Sequence, residues 1–275
     1  MPELPEVEVT RQGIEPHVSG QKILAVLVHQ PRLRWPIPAN LPDKLLGRTV
    51  FRVARRGKYL LFDCGNGWLI IHLGMSGTLR RVETSSIRQL HDHFEIVFSK
   101  YCLRLNDPRR FGAVLWHDNE AGDVLQHPLL KKLGVEPLDY EDDLGKLMYQ
   151  ASRGRTLSIK QMLLAGEVVV GVGNIYASES LFGAAIKPTT QAGKISLVRY
   201  QKLAESIRSV LFAAVEKGGS TLRDFYSSDG VPGYFQLEAQ VYGRQGQACR
   251  VCGAEIKLIK QGQRATYYCA VCQSR

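Results

Sequence analysis

Close to its C-terminal end the chain carries Cys249-x2-Cys252 and, after sixteen intervening residues, Cys269-x2-Cys272. No other feature restricts the fold so strongly. Each CxxC pair presents two thiolates from one tight turn, and two such pairs complete a tetrahedron around Zn2+. A tail of under ~40 residues buries too little apolar surface to fold unaided, so the ion would supply the folding free energy. Four protein thiolates leave no open coordination position, which makes the expected zinc structural. Two redox-active pairs are the alternative. Cys64 and Cys102 stand alone in apolar stretches and read as core residues.

The chain has 275 residues, enough for about two domains. Its 36 Lys+Arg exceed its 26 Asp+Glu, a net charge of +10. That surplus favours a polyanionic partner, nucleic acid before acidic membrane. A hydrophobic fraction of 44% excludes wholesale disorder. No run approaches the ~18 apolar residues of a membrane span. The first eight residues hold Glu3, Glu6 and Glu8 and no basic residue, unlike a secretory signal. The expected location is cytoplasmic. A reducing compartment biases the cysteines toward metal or burial.

Pro5 suits the first turn of a helix, and Val7, Arg11, Ile14 and Val18 follow at helical spacing. Apolar runs at 58–63 and 68–73 flank Asn66-Gly67, a hairpin signal. Phe94, Ile96 and Phe98 alternate with polar or smaller residues, and 102–105 is expected to pair back on them. Short strands at this spacing predict an antiparallel sandwich or barrel. Gly134, Pro137 and the acidic run 139–143 read as a linker. Beyond it helices are expected over 156–165, 174–185 and 196–217. The last has an apolar stripe of Val198, Leu203, Ile207, Val210, Leu211 and Ala214.

Several loops carry groups suited to phosphate or base contact. Gly171-Val172-Gly173-Asn174 separates two helices; Asn174 suits an N-cap, and free N–H groups at a helix start attract phosphate. A purely structural connection is the alternative. Lys58, after Gly57, is either a phosphate contact or a solvated strand end. His72-Leu73-Gly74-Met75-Ser76-Gly77 sets a flexible thioether between glycines. Asp107-Pro108-Arg109-Arg110-Phe111-Gly112 joins two arginines to an aromatic, as in side chains inserted between base steps. Arg264 lies between the cysteine pairs, in the loop a zinc ribbon would project toward phosphate or solvent.

Together these motifs resemble those of bacterial formamidopyrimidine-DNA glycosylases, a family of DNA repair enzymes. The resemblance spans essentially the whole chain. It rests on Met1-Pro2-Glu3-Leu4-Pro5-Glu6-Val7-Glu8, His72 to Gly77, residues 107–112, Gly171-Val172-Gly173-Asn174-Ile175-Tyr176-Ala177 and the four cysteines. It implies an α+β fold: an N-terminal antiparallel β-sandwich with a helix over 1–133, a linker over 134–150, a helix–two-turn–helix DNA-binding domain over 151–240, and a zinc finger over 241–275. It further implies a monomer acting on damaged double-stranded DNA held in the cleft between the domains, with one structural Zn2+.

The resemblance also implies roles. The Pro2 amine, freed by removal of Met1, would attack C1′ and form a Schiff base. Glu3 would protonate the sugar oxygen and move protons, and Lys58 would sit beside the lesion. Met75, Arg109 and Phe111 would fill the gap left by the everted base. His72, Arg110, Asn174 and Arg264 would contact phosphates, and Lys160 would lie near the lesion. Residues 230–235 resemble part of a lesion-capping loop. The chemistry of Pro2 is sound: an α-amino group titrates at ~7.7–8.0 against ~10.4 for lysine. It is therefore far more often neutral and nucleophilic at pH 7, and a secondary amine yields a permanently cationic iminium. Two rivals remain: an endonuclease VIII-like enzyme favouring oxidised pyrimidines, and a zinc-finger DNA-binding protein without catalysis.

Overall fold

The computed structural model describes residues 2–219 and 239–274. The lesion-capping stretch at 230–235 therefore lies outside the described residues. The described residues divide into two compact units, residues 2–131 with Gly218 and Gly219, and residues 132–217 with 239–274.

The first unit begins with α1 (Leu4–Val18), whose Leu4, Val7, Ile14 and Val18 are buried at helical spacing. Arg11 lies on the wetter side, paired with Glu8 and Glu15. Eight strands follow: β1 (Ala25–Val28), β2 (Arg52–Arg56), β3 (Tyr59–Asp63), β4 (Gly67–His72), β5 (Thr78–Glu83), β6 (Asp92–Val97), β7 (Tyr101–Asn106) and β8 (Ala113–Asp118); a short α2 (Leu41–Leu45) separates β1 from β2. They form two antiparallel sheets, ordered β1-β6-β7-β5 and β2-β3-β4-β8. One apolar core draws on both sheets and on α1, through Val7, Ile14, Phe62, Leu69, Ile71, Phe94, Ile96, Leu103 and Leu105 among others. This is the expected antiparallel sandwich with its helix.

One expectation shifts, at the β3–β4 hairpin. Cys64 N–H donates to Gly67 O at 2.9 Å, so Gly65-Asn66, not Asn66-Gly67, is the two-residue loop. Gly65 has φ +81° while Asn66 stays at negative φ, the pattern of a type II′ turn. Gly67 instead opens β4, where an added Cβ would lie 2.6 Å from His117 O. Cys64 is in the core as expected, and burial pushes its thiol up to about 12. Cys102 is buried on the opposite face from Leu103 and Leu105, its thiol 3.7 Å from Glu95 Oε2. Glu95 there also meets Arg104 Nε at 3.0 Å and His29 Nε2 at 2.9 Å.

The second unit holds α3 (Leu144–Ser152), α4 (Ile159–Ala165), α5 (Asn174–Gly183), α6 (Leu197–Glu216) and a hairpin of β9 (Ile256–Gln261) and β10 (Arg264–Cys269). The stretch read as a linker thus contains α3. Its N-cap Asp143 accepts from Lys146 N–H, and its buried Leu144, Gly145 and Met148 face inward. Gly145 lies so close to Gln201 of α6 that a Cβ would stand 2.6 Å from its Cα. On α6 the buried stripe is Tyr200, Leu203, Ala204, Ile207, Leu211 and Ala214. Val198, assigned to that stripe from sequence, is 61% exposed because Tyr200 occupies the inward position. Among the described residues no helix is long and apolar enough to cross a membrane.

Candidate active site and nucleic-acid interface

In the first unit, Pro2 and Glu3 are buried at the head of α1. Glu3 is the N-cap residue in extended conformation, and its backbone N–H donates to the Glu6 carboxylate at 2.7 Å. That bond satisfies a donor a helix start otherwise leaves orphaned. Glu6 is itself buried, and its carbonyl accepts from Thr10 Oγ1 at 2.8 Å.

Glu8, one turn further, ties α1 to the Gly57-Lys58 turn. Arg55 Nε donates to Glu8 Oε2 at 2.9 Å and Arg55 Nη1 donates to Gly57 O at 3.1 Å. Burial would raise the Glu8 carboxyl, but Arg11 and Arg55 hold it down at about 2. Gly57-Lys58 is itself a hairpin loop, because Arg56 pairs with Tyr59 and Gly57 has φ +57°. Lys58 therefore projects from a fixed turn rather than opening a strand.

His72 ends β4 beside this turn, its ring 4.7 Å from that of Tyr59. Burial, with the positive fields of Lys58 and Arg34, lowers it to about 4. It is neutral at pH 7. Its Nδ1 accepts from Gly74 N–H at 3.0 Å, which assigns the proton to Nε2 as a free-standing donor.

The Met75 turn and the Arg109–Phe111 turn meet backbone to backbone. A Cβ on Gly74 would stand 2.4 Å from Gly112 N, and one on Gly112 would stand 2.9 Å from His72 O. Arg34 N–H donates to Gly112 O at 3.0 Å. Asp107, fully buried, accepts from Gly112 N–H at 2.7 Å and faces Ser76 Oγ at 3.4 Å. Beyond this anchor Arg109 and Arg110 are exposed, and Phe111 is 43% exposed with the Arg109 guanidinium 5.0 Å over its ring. Arg110 adopts φ +54°, a left-handed conformation unusual for an arginine. Met75 is half-buried next to them.

In the second unit, Asn174 and Lys160 converge on one peptide of the hairpin, next to Arg264 in sequence. Asn174 is the first residue of α5; Gly173, extended at φ −107° and ψ −156°, takes the N-cap position expected of Asn174. The Asn174 amide instead donates to Ala265 O at 3.0 Å. Lys160 is fully buried, with Nζ donating to Ala265 O at 3.2 Å and to Thr266 Oγ1 at 2.8 Å. These bonds hold α4 to β10. Arg264 opens β10, exposed, directly after a tight turn in which Gly262 and Gln263 have φ +49° and +64°.

Cys249, Cys252, Cys269 and Cys272 place their sulfurs within 4.8 Å of one another. The Cys249–Cys272 and Cys252–Cys269 separations are 3.9 and 3.5 Å. Zn–S bonds of ~2.3 Å in a tetrahedron require sulfurs ~3.8 Å apart, so the donor set fits zinc. Burial opposes ionisation of Cys249, but the backbone N–H groups of Cys252 and Val251 bring it to about 7. Burial and the other three thiols push Cys272 up to about 12. Four thiols this close ionise together only around a cation. The site holds one structural zinc.

Sequence reasoning missed Arg34, Arg55 and Asp107 as parts of this architecture. Asp107 stood inside a motif already singled out. Arg34 and Arg55 lay in basic runs whose partners are distant in sequence.

Family models match along the chain: the formamidopyrimidine-DNA glycosylase N-terminal domain at residues 1–114, the formamidopyrimidine-DNA glycosylase H2TH domain at 133–226, and a zinc finger found in FPG and IleRS at 246–275. With the sandwich, the helical unit and the four-thiol hairpin, they define a zinc-finger DNA repair glycosylase. Among curated relatives, the formamidopyrimidine-DNA glycosylase of Paraburkholderia phytofirmans is 62% identical over 99% of this chain and 100% of its own length. That of Burkholderia cenocepacia is 59% identical with the same coverage. Two solved Lactococcus lactis FPG structures also match. A mutant bound to Fapy-dG containing DNA has TM-score 0.92, 38% identity and full coverage of both chains. A complex with abasic-site DNA has TM-score 0.91 and 39% identity over 99% of this chain and 100% of the other. The chain belongs to the formamidopyrimidine-DNA glycosylase family.

Proposed function

We propose that this protein is a bifunctional DNA glycosylase and abasic-site lyase that removes oxidised purines, 8-oxoguanine and formamidopyrimidines, from double-stranded DNA. The observation that carries this reading is the head of α1, where Pro2 and Glu3 are buried together and the Glu8–Arg55–Gly57 chain ties the helix to the Lys58 turn. The Pro2 nitrogen, exposed as a free amine, attacks C1′ of the damaged nucleoside. Glu3 donates a proton to the sugar ring oxygen, the ring opens, the base departs, and an iminium remains. The cationic iminium draws electrons for loss of the 3′ phosphate and then the 5′ phosphate, so the strand is cut on both sides. Lys58 lies beside the lesion and assists proton transfer.

Base excision requires the target nucleotide to leave the stack, at a cost of a few kcal/mol. Met75, Arg109 and Phe111 occupy the vacated space. The neutral imidazole of His72 offers Nε2–H to a phosphate. Arg110, Asn174 and Arg264 supply further phosphate contacts. Lys160, bonded to the same carbonyl as Asn174, lies near the lesion. The described Lactococcus lactis complexes with Fapy-dG and abasic DNA support this substrate class. A second reading, oxidised pyrimidines, draws support from another Lactococcus lactis FPG structure, bound to an oxidised pyrimidine containing DNA.

Single-turnover rates on duplexes carrying 8-oxoguanine or thymine glycol decide between them. Faster excision of 8-oxoguanine, ending in a gap with phosphates on both sides, is expected; a clear preference for thymine glycol overturns the purine assignment. Glu3→Gln is expected to abolish base excision while sparing most binding.

A further inference from the structure

We infer that Asp107 is a positioning residue that locks the Met75 turn and the Arg109–Phe111 turn into one rigid wedge. The inference rests on the extrusion step of the proposed function and deepens it. Asp107 is fully buried, and its two carboxylate oxygens are divided between the turns. Oδ2 accepts from Gly112 N–H at 2.7 Å, while Oδ1 faces the Ser76 hydroxyl, next to Met75, at 3.4 Å.

The Asp107 backbone is fixed as well. Its N–H donates to His91 O at 3.0 Å, and its carbonyl accepts from His93 Nε2 at 3.1 Å and from Arg110 N–H at 3.1 Å. The last bond closes the turn that carries Arg110 at φ +54°. A left-handed arginine is strained and persists only where its surroundings impose it. The imposed contacts converge on Asp107.

Gly74 and Gly112 complete the arrangement, because their backbones approach too closely for any Cβ between them. The two turns cannot move independently while Asp107 holds both. A wedge that fills an emptied base position must be ordered before the base leaves. Otherwise the ordering entropy adds to the extrusion cost. Asp107 touches no reacting atom; its effect reaches DNA through Met75, Arg109 and Phe111.

The test compares two substrates, an intact 8-oxoguanine duplex and a duplex with a preformed abasic site. Asp107→Ala should slow single-turnover excision of 8-oxoguanine about ten- to hundredfold, the size of one lost charge-assisted hydrogen bond. Cutting at the abasic site should change less than about twofold, since that substrate has no base to extrude. In a Phe111→Ala background, Asp107→Ala should add little, because both act through one element. Asp107→Asn retains an acceptor for Gly112 N–H and should recover most of the loss.

Equal loss on both substrates, or full additivity with Phe111→Ala, would overturn the inference. If Asp107→Ala fails to fold, Ser76→Ala carries the test. It removes one tie and should slow only 8-oxoguanine excision, by a few-fold. No slowing, or slowing on both substrates, counts against the inference. Absence of 8-oxoguanine excision by the unaltered protein would sink the parent proposal instead.

Discussion

The N-terminal sandwich and the C-terminal finger solve the same problem by opposite means. The sandwich buries a continuous apolar cluster of two sheets and a helix, with Phe62, Phe94, Leu60 and Ile14 fully inaccessible. Among the described residues the finger buries four, Val241, Cys249, Ile256 and Cys269, with Phe182, Ala254, Tyr267 and Cys272 packed against them. Two of those four are metal ligands. The sandwich can therefore carry strained turns and a buried carboxylate such as Asp107 on its own stability. The finger can hold Arg264 in place only through zinc and through donors lent by neighbouring helices.

The largest expected effect follows directly. Cys269→Ser, or a strong chelator, should release the zinc, unfold the hairpin and weaken DNA binding by more than about tenfold, while the sandwich keeps its cooperative melt. Metal analysis with circular dichroism checks this, and metal-free protein that binds DNA normally breaks the comparison. Next in size, Phe62→Ala should destabilise the sandwich by ~3–5 kcal/mol, read from denaturant midpoints, with zinc content unchanged. A smaller effect separates the roles of Arg264 and Lys160. Arg264→Ala should reduce the salt slope of DNA binding by about 1. Lys160→Met should leave that slope unchanged and instead loosen zinc retention, because Lys160 bonds Ala265 O and Thr266 Oγ1.

The smallest effect concerns acid. His72 titrates at about 4 in the folded protein, below its usual 6.5, so the unfolded chain takes up that proton first. Its contribution to stability is present above about 6.5 and is lost as the pH falls toward about 4. His72→Gln should flatten the stability profile in that window and leave it unaltered at pH 8.

The two regions also differed in how much their sequence disclosed. The finger was legible residue by residue, because cysteine spacing is itself the chemical constraint. The sandwich was legible as a class, since Phe94-x-Ile96 and Leu103-x-Leu105 alternate about one core. Its turns were less so. Gly65-Asn66-Gly67 permits two hairpin registers, and the close fit of Gly67 against Trp116 and His117, fifty residues away, selects one. Helix α3 was hidden behind the acidic run that supplies its cap, Asp143. The partners of Lys160 were hidden for the same non-local reason: they lie 105 and 106 residues further on. A buried lysine and a solvated one look alike until the fold brings a carbonyl to it.

For the proposed site, the roles given to Pro2, Glu3, Met75, Arg109 and Phe111 came from the resemblance of whole motifs, not from any one residue. The parts played by Arg55 and Asp107 were not legible, because they depend on side chains distant in sequence, the Glu8 carboxylate and the Ser76 hydroxyl.

The central claim is that the chemistry begins at the Pro2 amine. Borohydride reduction during reaction with an 8-oxoguanine duplex, followed by peptide mass mapping of the crosslinked protein, tests it most directly. The account predicts a stable adduct on the N-terminal peptide with the sugar bonded to the Pro2 nitrogen. A crosslink on Lys58 or any other lysine, or no crosslink despite strand cutting, would contradict it.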